Sequence, residues 1–207
     1  MLYAIDILLH ILIFAIGAAF GIFLTVRIYR SPHPFIAVLC GVVGLLCYMY
    51  FSPAVAILYF AVFAVLLCIT LIDAATQEIP NSLNLALLLC GGIAAIWHLT
   101  DANILSRVVS LFAVSLPLLV IALAIRGAFG MGDVKLMFAA GFLLGWQDAL
   151  VAFFIALILG GIYGVIVLAA RKKGRKDHFA FGPCLAVGIF AALLAGERIF
   201  TWYLTMF

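Results

Sequence analysis

The sequence predicts an all-α membrane protein, a polytopic helix bundle of about eight transmembrane helices with the N-terminus outside. Three observations lead there. Hydrophobic residues make up 69% and charged residues 9% of the 207 positions, against roughly half and a quarter in soluble domains, and the mean hydropathy is +1.40. Apolar runs approaching the roughly 20 residues that a spanning helix needs recur along the whole chain. No polar stretch between them is long enough to bury a core of its own, so residues 1–207 read as one transmembrane domain. This composition excludes a soluble enzyme or a nucleic-acid-binding module, and the net charge of +3 bears on orientation in a bilayer.

The eight predicted spans follow in order. Residues 3–26 form an anchor and not a cleavable signal, because the leading residues carry Asp6 and no cation while Arg27 and Arg30 follow the run. Residues 35–51 make the second helix. The third, 53–75, starts at Pro53, a favoured first-turn residue. Twenty residues on, about 30 Å of rise puts Asp73 at the far membrane rim. Pro80 disfavours helix at Ile79 and ends this segment, and Asn81 or Ser82 offers a cap for the fourth helix, 83–99. The fifth covers 104–125. The sixth, 134–146, is the weak one: about 13 residues rise only some 20 Å. The seventh and eighth cover 149–170 and 179–204. Gly17 and Gly21, Gly141 and Gly145, and Gly160 and Gly164 form small-xxx-small pairs suited to close helix packing.

Charge keeps the sixth segment as a crossing. With the N-terminus outside, Arg27, Arg30, Arg126, Lys135 and the basic run Arg171 to Lys176 lie inside, leaving Arg107 and Arg198 outside. That distribution is the one the positive-inside rule requires. A re-entrant sixth segment would put the basic run outside. In this topology Asp73 and Asp133 share the cytoplasmic rim.

These two aspartates are the candidate chemistry. They stand in Leu71-Ile72-Asp73-Ala74-Ala75-Thr76-Gln77-Glu78-Ile79-Pro80-Asn81 and in Gly130-Met131-Gly132-Asp133-Val134-Lys135-Leu136. A carboxylate in or beside a spanning helix is costly, which points to function. For Asp133 the competing structural role is an ordinary helix N-cap. For Asp73 a carboxylate near a helix C-terminus opposes the macrodipole. Gly130 and Gly132 supply backbone freedom for a close approach. Two adjacent carboxylates do not readily both ionise and so can hold one proton between them, enough for water-activating hydrolysis.

The spacing Asp73 to Ile79-Pro80, with Gly130-x-Gly132-Asp133-x-Lys135-Leu136, resembles the type IV prepilin peptidases, membrane aspartic proteases of the GxGD type. Gly17 to Arg30 is similar to that family's first-helix signature, and Phe181-Gly182-Pro183 to its last-helix segment. The resemblance implies a transmembrane peptidase domain in the bacterial cytoplasmic membrane, multi-pass, cutting the basic leader from prepilins or pseudopilins at the cytoplasmic face. It implies Asp73 and Asp133 as the catalytic pair, with Gly130, Gly132, Lys135, Pro80, Asn81, Phe181, Gly182 and Pro183 as motif support or substrate contacts. Partners are then the pilin-like substrate and the lipid bilayer, with no nucleic acid; the oligomeric state is not legible.

Many bacterial members of that family carry two Cys-x-x-Cys pairs between the first two helices, suited to zinc. Here Arg30-Ser31-Pro32-His33-Pro34 runs straight into the second helix, and Cys40, Cys47, Cys68, Cys90 and Cys184 sit in apolar segments without metal spacing. No metal is expected, and S-adenosylmethionine only if the family's methyl transfer is retained. Two other function classes fit the same carboxylates less closely. One is a proton-coupled transporter or channel, which calls for acidic groups near the midplane. The other is a non-catalytic partner in pilus or secretion assembly.

Overall fold

A computed structural model describes residues 2–100, 102–124, 129–169 and 180–206. Arg126 and the basic run 171–176, on which the topology argument leaned, lie outside the described residues. Those that are described form nine helices and no strand: α1 (Leu2–Tyr29), α2 (Pro34–Tyr50), α3 (Pro53–Thr76), α4 (Asn81–Ile96), α5 (Ile104–Ala113), α6 (Ser115–Ala124), α7 (Met131–Leu144), α8 (Trp146–Ala169) and α9 (Gly182–Leu204). Five stretches are long and apolar enough to cross a membrane: Asp6–Tyr29, Pro53–Thr76, Ile104–Ala124, Trp146–Ile166 and Gly182–Leu204. The chain is a polytopic helical membrane protein. Leu8, Phe23, Phe35, Tyr50, Phe154 and Val165 are exposed, as side chains facing lipid would be.

Two compact units divide at Ala64 and Val65, inside α3. In the first, α1 packs along α2. A Cβ on Gly17 would lie 2.7 Å from the Cys40 carbonyl oxygen, and one on Gly21 would lie 2.8 Å from Ala37 Cα. The predicted small-residue pair is therefore the α1 face on which α2 lies. Thr25, fully buried, donates to Gly21 O and accepts from His33 N at 3.3 Å, which pins the turn between the two helices.

The second unit is built around α7, which touches α4, α5, α6, α8 and α9. The expected sixth helix, 134–146, thus runs instead from Met131 to Leu144. Its 14 residues rise only about 21 Å. Nine of them are buried, from Asp133 to Leu144. Protein surrounds this helix, so its length is not dictated by the thickness of hydrocarbon.

Three other boundaries depart from expectation, each for a local reason. The predicted helix 104–125 is broken into α5 and α6 at Val114. Pro117 is four residues beyond Ala113, cannot donate to that carbonyl and crowds it with its ring. The gap expected between 146 and 149 shrinks to Gly145, whose φ of +89° and ψ of 168° suit glycine alone. One residue thus turns α7 into α8. The last helix starts at Gly182, with Pro183 in its first turn, where a missing N–H costs nothing.

Candidate functional site

Asp73 sits in the last turn of α3, at 4% exposure. The helix stops three residues later because Gln77 adopts φ +56°, and Gln77 N still closes on Asp73 O at 2.8 Å. Pro80, the expected terminator, has another task. It is the N-cap of α4, without a side-chain bond, so the expectation that Asn81 or Ser82 caps α4 is not met. Asn81 is the first helical residue, and its Oδ1 accepts from Lys135 Nζ at 3.0 Å.

Asp133 lies in the first turn of α7 and is 8% exposed. It is not the N-cap; that is Gly130. Asp133 reaches back from the third helical position, and its Oδ2 accepts from Gly130 N at 3.1 Å. This is the acidic half of a capping box, with a glycine where the hydroxyl residue usually stands. Gly130 has φ −75° and ψ 148°, a conformation open to any residue, so the conformational freedom expected of it is not used. Gly132 is needed for another reason: a Cβ there would lie 3.0 Å from Ile79 Cβ.

The third contributor to the site is the start of α9. Gly182 N donates to Asp73 Oδ2 at 2.9 Å, a buried bond between residues 109 apart in sequence. A Cβ at 182 would fall 2.6 Å from that same oxygen. Only glycine lets a backbone amide come so near the carboxylate. Phe181 is held from two sides. Its ring stands edge-on to Phe129, centroids 5.4 Å apart, and lies over Gly160, where a Cβ would meet it at 2.6 Å. Gly160 therefore serves Phe181; its expected partner in a packing pair, Gly164, has nothing within 4 Å of a Cβ among the described residues.

Three sequence motifs far apart in the chain are thus joined: Asp73 to Gly182, Ile79 to Gly132, and Asn81 to Lys135. Asp133 is within electrostatic reach of Asp73. Two helix N-termini, those of α9 and α7, each turn one N–H toward one carboxylate, and such ends favour negative charge. Among the described residues neither aspartate has a cationic partner. Nor do any three His, Cys, Asp or Glu side chains there stand close enough to hold a metal. Among the described residues the cysteines form no disulfide, with Cys40 and Cys47 buried and the others partly so.

Two contributors were not foreseen. Phe129, just ahead of the Gly130 motif, carried no signal beyond being aromatic. Arg107, expected at the outer surface, is 1% exposed. Its guanidinium donates to Phe142 O and Leu143 O at 2.9 Å, to Ala102 O at 3.0 Å and to Thr100 Oγ1. It closes the C-terminal carbonyls of α7, the end opposite Asp133, where a cation suits the dipole.

The fold and site define a polytopic membrane protein with a pair of buried carboxylates at helix ends. The model of the type IV leader peptidase family matches residues 60–165, just over half of the chain, and the chain belongs to that family. It is 33% identical over 182 residues to a prepilin leader peptidase/N-methyltransferase of Legionella pneumophila, covering 85% of this chain and 63% of the relative. Proteins of the same name from Neisseria gonorrhoeae and Aeromonas hydrophila are 34% and 33% identical, over 84% and 69% of this chain and 62% and 51% of their own. The chain spans between about half and 63% of the length of these relatives. No solved structure matches it significantly.

Proposed function

We propose that this chain is a membrane aspartic endopeptidase that removes the basic leader from prepilins or pseudopilins at the cytoplasmic face of the bacterial cytoplasmic membrane, its N-terminus outside. The observation that carries this reading is the buried pair Asp73 and Asp133, each held by one helix-terminal N–H and without a neutralising cation among the described residues. Such a pair keeps one proton. The ionised member takes a proton from water as the water oxygen bonds to the scissile carbonyl carbon, while the protonated member gives its proton to the carbonyl oxygen. When the C–N bond breaks, the leaving amine collects a proton from the newly protonated aspartate, and one hydroxyl of the diol passes its proton to the other aspartate. No covalent intermediate is required, and either aspartate can begin as the base.

The relatives' second named activity, N-methyl transfer, is not carried over. The run Arg30 to Pro34 passes directly into α2, where the family's cysteine insertion would stand. The test is incubation of the purified chain with a prepilin, with and without labelled S-adenosylmethionine. The proposal predicts release of the leader and no label on the new N-terminus; an uncut prepilin would overturn it.

A further inference from the structure

Beside the Lys135–Asn81 contact, a groove of about 510 Å³ opens between α4, α5, α6 and α7. Leu85, Phe112, Leu116 and Phe138 form apolar walls, and Val134 and Lys135, the residues after Asp133, line one side. One polar group in it has no use in the fold. Asn84, one turn along α4 from Asn81, lines the groove and is 7% exposed. Neither its Nδ2 nor its Oδ1 has a hydrogen-bond partner among the described residues. The other buried polar residue of the lining, Ser115, spends its hydroxyl on Leu111 O. An unpaired amide is expensive, more so in a protein with no water in its hydrocarbon surroundings.

A carboxamide offers one donor edge and one acceptor, the complement of a peptide group. The groove adjoins the turn that carries Asp133, and its walls suit an apolar side chain. Lys135 at its mouth repels a basic segment and so selects the non-basic side of the cut. We infer that Asn84 clamps the main chain of the peptide substrate next to the scissile bond, accepting from an N–H and donating to a C=O. This rests on the peptidase reading above.

The test uses the full chain in detergent micelles and a leader-bearing prepilin peptide, together with a series of that peptide methylated at one backbone nitrogen at a time. Asn84→Leu removes an unsatisfied amide, so its thermal midpoint stays level or rises, while kcat/KM falls about tenfold or more, chiefly through KM. One N-methyl position costs the native chain a similar factor and costs Asn84→Leu nothing further. Asn84→Ala gives the same pattern if leucine overfills the groove. Unchanged kcat/KM, a lowered midpoint for both variants, or an N-methyl profile identical in native and variant chains overturns the inference; the last is the outcome if a lipid or detergent tail fills the groove. If the native chain does not cut the unmodified peptide, the peptidase reading fails and this inference with it. Cleavage by native and variant chains alike sinks only the clamp.

Discussion

Gly182 presents its backbone N–H to Asp73 at 2.9 Å, and the position a Cβ would take at 182 is 2.6 Å from the same carboxylate oxygen. The glycine of the Phe-Gly-Pro segment is therefore part of the setting of an aspartate 109 residues away. Gly182→Ala must push Asp73 aside or retract the start of α9. We expect a stability loss of about 1–3 kcal/mol, and a cleavage rate lowered on the order of 10²-fold by a shift near 1 Å. Paired thermal unfolding and turnover measurements on a prepilin check both.

Phe181 holds that loop down. Packed over Gly160 and edge-on to Phe129, it fixes the peptide whose next N–H reaches Asp73. Phe181→Ala should cost about 3–5 kcal/mol and lower cleavage further than the folded fraction explains. Phe181→Leu should recover most of the stability while losing the ring contact, worth about 0.5–1.5 kcal/mol. Thermal midpoints of the two variants test the order.

Arg107 joins α5 to the far end of α7 through two carbonyls, and to the α4–α5 loop through Ala102 and Thr100. Arg107→Met strands these acceptors, with an expected loss of about 2–5 kcal/mol. Arg107→Lys restores little, because an ammonium cannot reproduce the forked geometry. Chemical unfolding in detergent reports the difference.

Lys135 and Asn81 make an exposed contact. Lys135→Met should therefore change stability by less than about 1 kcal/mol, read as a thermal midpoint close to that of the native chain. A large loss would mean that Lys135 anchors α7 to α4.

What the sequence made legible was local or compositional. The apolar runs and the two aspartate motifs announce themselves within a few residues, whereas the apolar pattern alone sets the last helix at 179 and not at Gly182, where it starts. The break between α5 and α6 was equally local, since Pro117 cannot pair with Ala113, yet an unbroken apolar run masked it. Tertiary partners stayed hidden. Arg107 looks like a surface cation until Phe142 and Leu143 come to it, and Phe129 looks like any aromatic until Phe181 lies across it. The short α7 looked too short to span because its surroundings, five other helices, do not appear in its own thirteen or fourteen letters.

The central claim is that Asp73 and Asp133 act as one unit. Its most direct measurement is the initial rate of leader release from a purified prepilin by Asp73→Asn, Asp133→Asn and the double variant, each matched to the native chain by thermal unfolding. The account predicts that either single change lowers the rate by 10²–10⁴-fold or more, as for loss of a general acid or base. It also predicts that the double variant is scarcely worse than either single one. A folded single variant that cleaves at the native rate would contradict it.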